Sequence, residues 1–477
     1  MMKRYVVYAA TIIKDALKCI DVNGVRSLVV VDEGNHFTKI VDESDIRRHL
    51  LNIGTMTDPI ASVSVPTKQV VLQKLVPTFE VKELFEKFAG IDLIPVINSD
   101  RSINFIYSRD SVSQFIPVSQ PYISHREVKY VEEAVRSTWV SSQGKFINRF
   151  TGQLENFLEV QHVSLTSNGT TAIELALLAH GIGPGDKVVV PSFTFAATAN
   201  AVVRVGAEPI FVDVDLSSWN LDFALCRDVL RKHRVSCILG VEVYGNPLDI
   251  YQLSQLANVQ GSVLIIDAAE SFGAKNNGAR TSSYVDAYTF SFFGNKLITT
   301  GEGGCVAFKD AGVFERAEVI KAHGMTDKQR YIHGMIGGNF RLTNVQAAVG
   351  AAQMEMIDEI LKHRKSLFTK YSEMLNGDEF VRQRILEKSE QAPWLYSILI
   401  NSDINVSSIV EHMRLNGIEC RRGFYPLHLQ KPFEKYEAYE NGSSVHLSNT
   451  MLTLPTYFDL SIEQVIGICD TLIDFVH

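Results

Sequence analysis

Apolar residues in the first 117 positions recur in a pattern that repeats once. "TIIKDALKCI" places Ile13, Ala16, Leu17 and Ile20 on one helical face. "RSLVVVDEGNHFTKIVDESDIRRHL" follows and reads strand, turn, strand, helix. The same order returns in "EVKELFEKFAG" and "IDLIPVINSDRSINFIYSRDSVSQF", and Asp45 and Asp110, at the ends of the second strands, lie 65 residues apart. A repeat of this length predicts two similar units packed face to face. "FIPVSQPYIS", with two prolines among polar residues, reads as a linker.

From about residue 118 the texture changes. "KVVVPSFTF", "EPIFVDVD", "SCILGVEVYG" and "SVLIIDAAE" each run from an apolar, β-rich stretch into small or polar residues. Helical stretches such as "TTAIELALLAHGI" separate them. Near-continuous apolar strands alternating with helices predict a largely parallel sheet covered on both faces, an α/β fold. Ligands bind such sheets at the carboxyl ends of the strands. Beyond about residue 360 a long helical stretch leads into a smaller α+β segment. The predicted organisation is therefore 1–117, 118–360 and 361–477.

Composition narrows the function without choosing it. The 477 residues are 46% hydrophobic and 21% charged, with a formal net charge of -8. This mild acidity argues against nucleic acid or an anionic membrane as partner. No apolar run is long enough to span a bilayer, and the opening "MMKRYVVYAATIIKDALK" lacks the form of a cleaved leader. The six cysteines are scattered with no CxxC pair, so the expectation is reduced thiols in a cytoplasmic protein and no metal site.

The residues at the strand ends carry chemistry. Asp267 closes "VLIID", where a carboxylate needs a cation or strong donor. Lys296 follows in "SFFGNKLITTGEGG", beside Gly294, Gly301, Gly303 and Gly304. An ion pair would explain the two charges but not the glycines, which let backbone approach a flat or phosphorylated ligand. A lysine that forms Schiff bases, paired with an acid for a pyridine nitrogen, is the requirement of pyridoxal 5′-phosphate. "SLTSNGTTAIELAL" offers its phosphate a helix start, with Gly169 and the backbone N–H groups of Thr170 and Thr171. Ser291 adds a hydroxyl, and Phe195 in "PSFTFAATAN" an aromatic face for the ring.

Taken together and in order, "STWVSSQG", "SNGTTAIELAL", "PSFTFAATANAV", "EPIFVDVD", "VYGNPLDI", "IDAAES", "SFFGNKLITTGEGG", "GGNFRLTNVQAAVG" and "FYPLHLQ" resemble the DegT/DnrJ/EryC1/StrS family of sugar aminotransferases over residues 118–477. "GNKLITTGEGG" and "GNFRLTNVQAA" are most similar to its perosamine-synthase subgroup. The resemblance implies a fold-type I, pyridoxal-phosphate-dependent aminotransferase with a small C-terminal domain. It implies Lys296 as the Schiff-base lysine, Asp267 as partner of the pyridine nitrogen and Glu270 near the ring hydroxyl. It further implies that Phe195 stacks on the ring and that Gly169, Thr170, Thr171 and Ser291 meet the phosphate. Asn339 would reach the phosphate from a second subunit, which implies a homodimer with shared sites. Trp139, Tyr425 and His428 match segments near the sugar nucleotide; for His428 a packed histidine is the competing reading. Many relatives carry His where Glu242 and Phe272 stand here, and these departures bear on the choice of sugar. Lysine at 296 argues against the dehydratase branch, which carries histidine there.

The N-terminal part resembles a pair of CBS motifs, again α/β. That likeness implies Asp45 and Asp110 as ribose-holding aspartates for an adenine nucleotide. The usual threonine three residues earlier is Asp42 in one copy and Tyr107 in the other; a degenerate module for packing or assembly is the competing reading. The expected reaction moves an amino group, from glutamate by resemblance, to a nucleotide-linked 4-keto-6-deoxy sugar. A UDP- or dTDP-linked 4-keto or 3-keto sugar is the alternative within the class. A nucleotide-sensing regulator with a retired enzyme domain is the alternative outside it.

Overall fold

The computed structural model describes residues 2–477 except 53, 66–68, 75, 77, 89, 110–114 and 326–330. The expected position of Asp110 lies outside the described residues. The chain divides into two compact units, Met1–Ile116 with Glu411–Glu419, and Pro117–Val410 with Cys420–His477.

In the first unit, β1 (Val6–Tyr8) pairs in parallel with β2 (Ser27–Val31), and β2 pairs antiparallel with β3 (Phe37–Asp42). The helix α1 (Ile13–Asn23) buries Ile13, Ala16 and Ile20, the stripe read from the sequence. It ends at Gly24, whose φ of 73° suits a residue without a side chain. α2 (Glu43–Asn52) follows β3 directly. The repeat is visible in the backbone. After α3 (Thr78–Lys87), β4 (Leu93–Ile97) and β5 (Ile103–Ser108) pair as β2 and β3 do. The register breaks at Val30/Val31 and at Val96/Ile97, 66 residues on. The two copies meet at His36 and Ser102, again 66 apart, through an antiparallel bridge. Ile116 bridges to Ile418 in parallel, so the unit includes a short piece of C-terminal sequence that pattern reading did not assign to it.

The second unit is built on eight strands: β6 (Val163–Thr166), β7 (Lys187–Pro191), β8 (Glu208–Val212), β9 (Cys237–Val241), β10 (Val263–Asp267), β11 (Ala287–Ser291), β12 (Gly304–Phe308) and β16 (Ala438–Tyr439). Their order is β16-β8-β7-β9-β10-β11-β12-β6. All neighbours from β16 to β11 are parallel; β12 runs against both β11 and β6. Both faces are covered, as the apolar strands predict. Leu264 and Ile266 enter one core with Ile238 and Phe290, while Ile265 enters the other with Leu239 and Val306. Each of these side chains is worth about 1.5–3 kcal/mol of transfer free energy when fully buried. A smaller antiparallel sheet, β13 (Phe380–Val381), β14 (Tyr396–Ile400), β17 (Met451–Leu454) and β15 (Arg421–Arg422), completes the unit. Among the described residues no helix is long and apolar enough to cross a membrane.

Candidate active site

The parallel strands all end on one side, and their last residues meet there. β6 leads into Asn168–Gly169, β7 into Thr194–Phe195, β9 into Tyr244, β10 into Asp267–Glu270 and β11 into Ser291–Lys296. These residues border one cavity of about 1020 Å³.

Asp267 is the last residue of β10 and is 5% exposed. Thr198 donates its hydroxyl to Oδ2 at 2.7 Å, and the Ala269 N–H donates to Oδ1 at 3.1 Å. Burial raises its carboxyl above the ordinary range, with those donors and Lys296 working the other way. Glu270 is buried too; its Oε2 accepts the Tyr244 N–H at 2.8 Å, and burial pushes its carboxyl up to about 7. Lys296 follows β11 in a tight turn closed by its own N–H on the Phe293 carbonyl at 2.9 Å. As a residue it is partly exposed, because it faces the open cavity, yet its amine is deep enough for desolvation to lower its pKa, with Glu270 and Asp267 opposing. An amine beside two carboxylates, each displaced towards its neutral form, is the combination proton transfer needs near neutral pH.

At the far side the helix Gly169–Ala179 points its N-terminus into the cavity. Asn168 caps it, accepting the Thr171 N–H at 2.9 Å. The Thr171 hydroxyl is also committed, to the Asn168 carbonyl at 2.9 Å. Thr171 therefore builds the cradle rather than offering its amide as expected, and the N–H groups of Gly169 and Thr170 are the ones left without an intrahelical acceptor. A Cβ on Gly169 would lie 2.8 Å from the Ser291 Cβ, so the helix start approaches β11 this closely only because the residue is glycine. A phosphate cradle, a lysine amine and a buried acid in one cavity fit pyridoxal phosphate. Phe195, 62% exposed, borders the same cavity.

Other expected residues are placed differently. Trp139 and Tyr425 are exposed and outside the cavity wall of this chain. So is Asn339, which accepts a hydrogen bond from Arg341 Nε at 3.0 Å. His428 does not face the cavity. It is buried, its Nδ1 is bonded to the Ser192 hydroxyl, and its Nε2 sits 3.3 Å from the Glu440 carboxylate in poor hydrogen-bond alignment. Ser192 begins the loop that presents Thr194 and Phe195, so packing, the competing reading for His428, is what the geometry supports. Glu242 and Phe272 also stand back. Glu242 is buried with Ser271 donating to its Oε2, and burial pushes its carboxyl up to about 7. Phe272 packs in the core against Phe157, Phe290 and Phe292.

Sequence reading missed several groups in the wall: Thr198, Tyr244, Trp394, Arg204, Arg421 and Arg422. Thr198 had a weak signal, three residues beyond Phe195 in the first turn of the helix Ala197–Arg204. Arg204 ends that same helix, while Trp394, Arg421 and Arg422 arrive from the small sheet region and had none. In the first unit, Asp45 is buried, accepting Arg48 Nη1 at 2.8 Å and the Asp42 N–H at 3.3 Å. Asp42 in turn accepts the Asp45 N–H at 2.8 Å and the Ser44 hydroxyl at 2.6 Å, so it caps α2 where a phosphate would need to come. A cavity of about 650 Å³ is bordered by Arg26, Asp42 and Arg47, and Asp45 is not in its wall.

The profile of the DegT/DnrJ/EryC1/StrS aminotransferase family matches residues 121–473, and that of the CBS domain matches residues 1–52. The GDP-perosamine synthase of Escherichia coli O157:H7 is 36% identical over 365 residues, 76% of this chain and 99% of that relative. The GDP-perosamine synthase of Vibrio cholerae is 35% identical over 370 residues, 76% of this chain and 99% of that relative. Among solved structures, a DegT DnrJ EryC1 StrS aminotransferase from Brucella abortus superposes with a TM-score of 0.70 at 28% identity, covering 74% of this chain and 95% of its own.

Proposed function

The chain belongs to the DegT/DnrJ/EryC1/StrS aminotransferase family, and from that premise we propose that it transfers an amino group from L-glutamate to C4 of a GDP-linked 4-keto-6-deoxyhexose. The observation that carries the reading is the meeting of Lys296, Asp267 and the Gly169 cradle in one cavity. Gly169, Thr170 and Ser291 would hold the phosphate, Phe195 would cover the ring, and Lys296 would hold the carbonyl carbon through its amine. When bound, pyridoxal phosphate supplies an electron sink for the carbon being deprotonated.

The chain's own residues do the rest. Asp267, fixed by Thr198 and Ala269, would hold the pyridine nitrogen and keep it protonated. Lys296, its amine free, would serve as the base that takes the proton from the donor's α-carbon and as the acid that returns it, in both half-reactions. Its lowered pKa raises the fraction of free amine available as base. Arg204, Arg421 and Arg422 in the cavity wall suit the diphosphate of a nucleotide-linked sugar. A homodimer is part of the reading. Asn339, Trp139 and Tyr425 lie outside the cavity of one chain, and Tyr331 and Ile336 are 75% and 97% exposed in the same segment as Asn339. A cytoplasmic location agrees with six free cysteines. For the first unit the competing readings are an adenine nucleotide in the cavity beside Arg26 and Arg47, and a packing module; the capped α2 favours the second.

Borohydride reduction of the yellow holoenzyme, followed by digestion, should tag the peptide containing residues 291–304; a tag elsewhere would overturn the assignment. Turnover with GDP-, UDP- and dTDP-linked 4-keto and 3-keto sugars then decides the substrate, and a preference for a 3-keto or UDP-linked sugar would refute the GDP-linked reading.

A further inference from the structure

Among the described residues the Lys296 Nζ has no hydrogen bond and no carboxylate within 4.0 Å. Its near neighbour is an aromatic face: Nζ lies 4.0 Å from the centroid of the Trp394 ring. The indole is held from several directions. Its Nε1 donates to the carbonyl of Asn295, the residue before the lysine, at 2.8 Å. One face stacks on Tyr244 at 5.9 Å and 28°, and Tyr244 stacks in turn on Phe424 at 5.3 Å and 26°. The Trp394 carbonyl accepts Nη1 of the buried Arg364 at 3.0 Å. Two residues earlier, the Ala392 N–H bonds the Gly245 carbonyl at 2.9 Å. Gly245 has a φ of 82°, and a Cβ there would meet the Ala392 oxygen at 2.5 Å, so the close approach needs glycine. Trp394 is 5% exposed and belongs to the cavity wall.

We propose that Trp394 is a positioning residue for Lys296: while that nitrogen is not bonded to the cofactor, the indole face holds it in its protonated form, between taking a proton and giving it back. The inference rests on Lys296 being the reactive amine of the site. The chemistry asks for such a device. Between the two half-reactions the freed nitrogen must stay within reach of the carbon it protonates, although its burial disfavours its charge. A carboxylate in contact would trap the proton in an ion pair, whereas a ring quadrupole attracts the cation without accepting the proton. Asp267 and Glu270 supply the longer-range field, and Trp394 supplies the place.

The test uses full-length enzyme stripped of cofactor. Acetic anhydride labelling is followed between pH 6 and 11, with mass spectrometry of the 291–304 peptide reporting the free-amine fraction of Lys296. W394L should lower the apparent pKa and raise labelling of Lys296 at pH 7 by roughly tenfold, the scale of a desolvated cation–π contact. W394F keeps a smaller face and should give a rise of about threefold. Circular dichroism confirms that each variant is folded. If W394L does not fold, W394F alone decides. An unchanged profile, or an upward pKa shift from admitted water, overturns the proposal. Borohydride tagging of wild-type holoenzyme is read separately, so failure of the Lys296 assignment is distinguished from failure of the Trp394 role.

Discussion

Two buried aspartates, Asp45 in the first unit and Asp267 in the second, have opposite surroundings. Asp45 is 3% exposed and spends its oxygens locally, on Arg48 one turn along its own helix and on the backbone of Asp42. Asp267 is 5% exposed and receives only neutral donors, Thr198 and the Ala269 backbone, with no cation within 4.0 Å among the described residues. The first carboxylate is complete without a ligand. The second sits at a strand end beside a cavity, destabilised by burial, and is completed only by something that brings positive charge, such as a protonated ring nitrogen. An aspartate's burial therefore says little about function; the source of its hydrogen bonds says more.

The sharpest break of this contrast is at the second site. K296A should abolish borohydride tagging and lower turnover by at least about 10⁴-fold, and D267N should cost about 10³-fold with the fold intact by circular dichroism. T198V removes one donor from Asp267. It should lower kcat by about tenfold to a hundredfold, since one charge-assisted hydrogen bond to a buried carboxylate is worth ~1.5–3 kcal/mol; an unchanged kcat would show that Ala269 alone suffices.

Glu242 sharpens the comparison through pH. Its folded-state pKa, about 7, lies above the ordinary glutamate value near 4.5. The folded chain therefore binds the extra proton between those limits, and stability present below pH 4.5 is lost as pH rises through 7. E242Q, neutral throughout, should match the wild type near pH 4.5 and exceed it by up to ~3 kcal/mol near pH 8 in cofactor-free melts. A constant difference across that range would mean that the carboxyl does not titrate there.

The smallest effects belong to the first unit. D45N should cost about 1–3 kcal/mol of that unit's stability, the penalty for disturbing a buried polar group. It should leave kcat unchanged and any ATP- or AMP-induced rise in melting temperature unaltered. Loss of such a rise would show that Asp45 holds a nucleotide after all.

Much of the architecture was legible because its causes are local. Leu264, Ile265 and Ile266 form a run that only a doubly covered strand explains, and Asp267 after it marks a strand end. Lys296 among glycines, and Asn168–Gly169 ahead of an apolar helix, are readable for the same reason: each motif is made by neighbours in sequence. The reversed β12 was not legible, since Gly304–Phe308 is as apolar as its parallel neighbours. Nor was the burial of His428, which depends on Ser192, 236 positions away. Thr171 shows why its role is hard to read from sequence: a capping box and a phosphate cradle use the same residue types.

By itself the amino-acid sequence determined the repeat in the first unit, the strand and helix periods of the second, and the pairing of a lysine with a strand-end aspartate. Periodicity and backbone preference act over a few residues and leave their mark in order. Only the tertiary structure decided which groups surround that lysine. Trp394, Tyr244, Arg421 and Arg422 reach the cavity through contacts between residues far apart in the chain, and such contacts are fixed by packing the whole core at once.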